Sequence, residues 1–125
     1  MFPQQTTVSE NNISNNWDGV YLYDSANNVF TGNIIERNRG NFGISVALSD
    51  DTTIAENRIA YNLYGITLSR GSSNNRLVNN NITSDSYGIG LWESSKNTLT
   101  NNKITNNECG IQLVSSPNNK LRNNI

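Results

Sequence analysis

Asp50 and Asp51 stand side by side, Asp24 and Glu93 occupy related places in other segments, and Arg70 falls between them. Two carboxylates on either side of a glycosidic bond supply an acid and a base or nucleophile, and Asp50-Asp51 can be read as half of such a pair. The competing reading is a turn. Ser49-Asp50-Asp51-Thr52 sits where other segments carry Ser-Ala-Asn-Asn or Ser-Ser-Lys-Asn, and Asp and Asn both favour turns. Arg70, beside Gly71, likewise reads as a solvated bulge residue. The sequence has no histidine and a single cysteine, Cys109, so histidine bases, Cys/His zinc sites and intrachain disulfides are excluded.

A second group is aromatic. Tyr21, Tyr23 and Trp92 fall at positions expected to face outward on strands, with Thr67, Ser69 and Gln112 between them. Aromatic faces beside polar groups are how proteins stack on sugar rings, which makes this strip the ligand-binding candidate. β-propensity on a strand surface also favours Tyr and Trp. Phe42, Tyr64 and Tyr87 each precede a glycine and share the parity of the inward aliphatics, so they are expected to form an aromatic ladder closing a corner. Cys109 ends that column as a small hydrophobe.

The elements that would hold these side chains follow from a repeat. A Gly-aliphatic-x-aliphatic tetrad begins at Gly19, Gly43, Gly65, Gly88 and Gly110, spaced 24, 22, 23 and 22 residues apart. Arg39-Gly40-Asn41-Phe42 accounts for the two extra residues of the first interval and Ser69-Arg70-Gly71 for the one in the third. Apolar positions recur at Val8, Phe30, Ile54, Leu77, Leu99 and Leu121, and again at Ile13, Ile35, Ile59, Ile82 and Ile104. Between them run columns of Asn11, Asn33, Asn57, Asn80, Asn102 and Asn124, and of Asn16, Asn38, Asn62, Asp85 and Asn107. Serines repeat at Ser25, Ser49, Ser72, Ser94 and Ser116.

Each repeat holds three short apolar-polar alternations, the period-2 mark of half-buried strands, and no segment has helical period. Asparagine makes up 25 of the 125 residues. It is the non-glycine residue best suited to left-handed corners, and stacked copies can bond as an amide ladder about 4.7–4.8 Å per step. The reading is all-β: a right-handed single-stranded parallel β-helix (β-solenoid) of about five rungs of 22 residues over 8–125, preceded by an N-terminal extension or cap over 1–7. A leucine-rich repeat has a related L-x-x-N spacing but needs a helical convex side that these residues do not offer.

The string Asn102-x-Ile104-x-x-Asn107-x-x-Gly110-Ile111-x-Leu113, echoed in every rung, resembles the repeat of the right-handed parallel β-helix superfamily, close to its NosD-like and carbohydrate-binding and sugar-hydrolase (pectate-lyase-like) members. That superfamily includes polysaccharide lyases, hydrolases and epimerases as well as surface modules. Copper delivery, known in the NosD-like group, needs soft ligands, and only Met1 and Cys109 are present. The Asp-Pro-His type of motif of alginate epimerases and the clustered aspartates of pectin hydrolases are not found beyond Asp50-Asp51. Under the lyase resemblance an arginine base and a calcium ion would draw on Arg70 and on Asp24, Asp50, Asp51 and Glu93.

Formal charge is −1 and the isoelectric point 5.2, so no basic stripe awaits nucleic acid. Mean hydropathy of −0.57 and the lack of a long apolar run argue against membrane insertion. The expectation is a non-catalytic extracellular, cell-surface or periplasmic module, structural or glycan-binding and without a cofactor. The alternative is a fragment of a polysaccharide lyase, hydrolase or epimerase, with calcium entering only in that case. Open solenoid ends lead us to expect self-association through the terminal rungs.

Overall fold

The computed structural model describes residues 5–125. Among them are sixteen short strands and no helix, hence no helix long and apolar enough to cross a membrane. The strands form three parallel sheets, each strand pairing with its counterparts one turn before and after. Sheet A contains β1 (Thr7–Ser9), β4 (Val29–Thr31), β7 (Thr53–Ala55), β10 (Arg76–Val78), β13 (Thr98–Thr100) and β16 (Lys120–Arg122). Sheet B contains β2 (Asn12–Ser14), β5 (Ile34–Glu36), β8 (Arg58–Ala60), β11 (Asn81–Thr83) and β14 (Lys103–Thr105). Sheet C contains β3 (Val20–Tyr23), β6 (Phe42–Ala47), β9 (Tyr64–Ser69), β12 (Tyr87–Trp92) and β15 (Cys109–Val114). Of the expected extension over 1–7, residues 1–4 lie outside the described residues, and Thr7 already opens β1.

Register follows the repeat. Ile35 pairs with Ile59 and Ile59 with Ile82 in sheet B, Phe30 with Ile54 and Ile54 with Leu77 in sheet A. These residues, with Ile44, Val46, Ile66, Leu68, Ile89, Leu91 and Leu99, are the dry core, each at most 2% exposed. Stacking like on like every turn leaves no gap between rungs, so apolar side chains fill a continuous column.

Four corners per turn share one device. A residue with positive φ is followed by a polar side chain that turns inward and bonds to the next rung. Asn33 donates from its backbone and side-chain amides to Asn57 Oδ1 (3.0 Å each), and Asn57 does the same to Asn80. The Asn38–Asn62 step repeats this at the second corner. Ser49 N donates to Ser72 Oγ at the third. A fourth column, Asn28, Thr52, Asn75, Asn97 and Asn119, carries the Asn75–Asn97–Asn119 ladder.

One detail differs from the sequence reading. The left-handed residue is the one before the inward ladder residue, and only some of these are Asn: Arg37, Leu48, Glu56 and Tyr61 all have φ between 49° and 59°. The strain of a left-handed non-glycine residue is of order 1–2 kcal/mol, and the several buried hydrogen bonds made by the following amide offset it. Asparagine thus serves both positions: it is eight of the twenty left-handed non-glycine residues among those described, and it is also the commonest ladder side chain that follows.

Candidate functional site

The carboxylates do not converge. Asp24 and Glu93 occupy the same left-handed corner, at φ 49° each, with Leu48 and Arg70 at the two intervening turns, so that Arg70 stands one turn from Glu93. Three turns separate them, about 14 Å along the axis. Asp51 (φ 53°) lies in a different corner column, level with Asn27, Asn74 and Lys96. Asp50 is half-buried, and its Oδ1 accepts from Ser73 N at 2.7 Å and Ser73 Oγ at 3.0 Å, tying its turn to the next. Arg70 (φ 55°) is exposed on the inserted bulge with Gly71 (φ 84°). Among the described residues no three His, Cys, Asp or Glu side chains are close enough to hold a metal ion together. The calcium set implied by the lyase resemblance is thus not assembled by this fold.

The aromatics do gather, in a grouping the sequence only half reveals. Tyr21 and Tyr23 lie parallel on β3 with ring centroids 6.3 Å apart, both about half exposed. Trp92 lies three strands away on β12 and meets the edge of Tyr64 at 5.4 Å and 86°. Tyr64 stacks on Tyr87 at 4.7 Å and tilts against Phe42 at 5.7 Å. The expected aromatic ladder exists, but it faces out: Phe42, Tyr64 and Trp92, with Thr67 and Ser69, line a shallow depression of about 240 Å³ on the outer face of sheet C.

The glycine after each aromatic causes this. A Cβ on Gly43, Gly65 or Gly88 would point inward and come within 2.5–2.6 Å of a carbonyl oxygen on the next rung. Glycine and the isoleucine after it thus both face the core, and the alternation resets. Simple parity, carried through the glycine, puts the aromatics on the wrong side.

Thr67 is the residue that the sequence did not distinguish from its neighbours. It sits between the core residues Ile66 and Leu68, yet its outward side chain is only 1% exposed, and its Oγ1 has no hydrogen-bond partner. Its cover includes the Trp92 ring, which lies over Gly90, where a Cβ would fall 2.2 Å from it. Gly90 pairs in register with Thr67 on one side and Gln112 on the other. The absence of a side chain at position 90 was the one available signal that something lies there.

Charge is distributed unevenly over the three faces. None of the residues in the sheet C strands is charged. Sheet B carries Lys103 and Glu36, the latter bridged by Arg37 and Arg58. The hydrogen bond from Arg58, aided by the charges of both arginines, holds the Glu36 carboxyl below its usual range against a smaller opposing effect of burial. Sheet A carries Arg76, Lys120 and Arg122.

This architecture, one chain coiled into stacked turns with three parallel sheets, defines a parallel β-helix. The family described as right handed beta helix region matches residues 2–104 and 41–125, and the chain belongs to it. Three solved structures of the periplasmic alginate epimerase AlgG share the fold. A single-substitution mutant aligns at TM-score 0.72 and 25% identity over 97% of this chain and 35% of that one. A double mutant aligns at 0.72 and 24%, and a third AlgG structure at 0.63 and 25%, each over 96% of this chain and 35% of that one. The chain thus spans about a third of the length of the epimerases it matches. Among curated proteins none matches it significantly.

Proposed function

We propose that the chain is a polysaccharide-binding β-helix module of the periplasm or cell exterior that recognises glycan on the outer face of sheet C and carries no catalytic centre of its own. The observation behind this reading is the outward shelf of Phe42, Tyr64 and Trp92 around the buried, unpartnered hydroxyl of Thr67. Aromatic rings beside one fixed polar group suit the alternating apolar and hydroxylated faces of a sugar. Likeness to AlgG, a periplasmic enzyme of alginate, lends support to a glycan and to that location. Tyr21 and Tyr23 would serve as a second contact further along the same sheet.

The likeness to an epimerase also favours a second reading, in which these turns are part of a polysaccharide-modifying enzyme. The residues available would be Asp24, Asp50, Asp51, Arg70 and Glu93, of which Arg70 and Glu93 lie on adjacent turns of one corner, Asp24 two turns before Arg70, and Asp51 in a different corner column. A glycan array separates the two. Binding by the wild type that is lost in Trp92→Ala supports the module. Conversion of a uronate polymer, seen by NMR and abolished by Asp50→Ala with Asp51→Ala, would replace it with the enzyme.

A further inference from the structure

Resting on the glycan-binding reading, we infer that the ligand is an uncharged sugar unit, held with one face against Trp92 and one hydroxyl on Thr67 Oγ1. A polar atom shut away without a partner is uncommon in a folded protein and calls for an explanation. Thr67 lies within one of the longest strands of the fold, and the rings of Phe42, Tyr64 and Trp92 line the same depression. The cover is thin. Trp92 is held by an edge contact with Tyr64 and by the space that Gly90 leaves free, and its side chain is partly exposed.

When Trp92 swings outward, Gly90 becomes the floor of a slot one residue wide. Thr67 stands on one side, Gln112 on the other, and Tyr64 forms the wall at the strand's start. A pyranose entering this slot replaces the indole on Gly90, stacks on Trp92 and offers a hydroxyl to the unmet Thr67. Gln112 can both donate and accept, as a sugar hydroxyl requires.

Charge then selects among sugars. A carboxylated sugar needs a cation to offset the loss of water from its charge. The five strands of sheet C supply none, and the residue following Trp92 is Glu93, which repels an anion. Arg70, on the bulge that follows Ser69, is the one cation flanking these strands, and the register sets it one turn from Glu93, whose charge offsets its own. The cationic face is sheet A, with Arg76 and Lys120 both in line with Thr98. A polyuronate would be drawn there and not to the aromatic shelf.

The test uses the Trp17→Phe variant, in which Trp92 is the sole tryptophan; Trp17 is 74% exposed and outside the depression. Tryptophan emission is followed while neutral hexasaccharides of glucose, mannose or galactose are added, and separately hexauronates, at physiological salt. A neutral hexasaccharide should shift the emission. Hexauronates should bind at least about tenfold more weakly, and Thr67→Val should lower neutral-sugar affinity about tenfold by deleting one hydrogen bond. The same Thr67→Val change should leave the urea midpoint unchanged or raised, since it removes an unpartnered hydroxyl. Tighter binding of hexauronates, or Thr67→Val with undiminished affinity, overturns this inference while leaving the glycan-binding module intact. If no saccharide of either kind binds, both fall.

Discussion

Asp85 occupies the place where four other turns carry asparagine. Its Oδ1 accepts from the backbone and side-chain amides of Asn62 at 2.6 and 3.2 Å, as an asparagine oxygen would. Its Oδ2, buried and without a partner, stands where the amides of Asn38 and Asn62 donate onward. Burial outweighs the two bonds from Asn62 and pushes the carboxyl up from its ordinary 3.8 to about 6. The protonated form is thus favoured by folding. Its stabilising effect is complete below about pH 4 and lost as pH rises through about 6, a total near 3 kcal/mol. Between pH 5 and 8 the wild type should lose about 1 kcal/mol from this group by urea unfolding. Asp85→Asn restores the missing donor, so it should flatten that dependence and add about 2–3 kcal/mol at pH 8. A variant that is weaker than wild type at pH 8 would contradict this account. Asn80→Ala is the converse. It leaves Asn57 N without its acceptor and takes one partner each from Asn57 Nδ2, Ile54 O and Asn102 Oδ1, and should cost about 2–4 kcal/mol in the same assay.

At the scale of the element, the glycine of each long strand decides which way its aromatic points. Gly65 packs where a Cβ would sit 2.5 Å from Gly88 O, 2.7 Å from Ile82 Cγ2 and 2.9 Å from Asp85 Oδ2. Gly71 has φ 84°, and a methyl added there would meet no atom within 4 Å, so its demand is conformational alone. Gly71→Ala should therefore cost about 1–2 kcal/mol. Gly65→Ala should exceed it, at roughly 3 kcal/mol, because the backbone of the neighbouring turn must move. Comparing thermal unfolding of the two variants checks the order, and equal losses would mean that the turns are less tightly apposed than these distances imply. Gly90→Ala tests a different consequence. Its methyl would displace the Trp92 ring from 2.2 Å away, so tryptophan emission should shift to longer wavelength with little loss of stability.

For the whole molecule, nearly all order is passed between successive turns, since each strand bonds to its counterparts one turn away. Protection against hydrogen exchange should accordingly peak in β7 to β13 and fall toward β16, where Leu121 is 45% exposed against 0% for its ladder partner Leu99. Self-association through the ends is proposed on the same ground. The 125-residue chain exposes Leu113, Val114, Leu121 and Ile125 around one end, beside an unpaired strand edge. Sedimentation should show concentration-dependent association that Leu121→Lys weakens, and a strict monomer across the micromolar range would disprove it.

The period, the insertions after Arg39 and at Arg70, the core columns and two asparagine ladders were all legible in the residues, because a coil that stacks like on like writes its register into a simple repeat. Two things were decided only in three dimensions. The left-handed corner falls one residue before each ladder amide, because inward hydrogen bonds between turns outweigh local φ preference. The aromatics face out beside Thr67, while Asp24, Asp51 and Glu93 remain apart, because the close approach of successive backbones at Gly43, Gly65 and Gly88 resets the alternation and the axial rise separates side chains that share a column. A one-dimensional pattern shows which residues must be buried; the direction of each Cα–Cβ bond, and so what meets at a surface, depends on where the backbone bends.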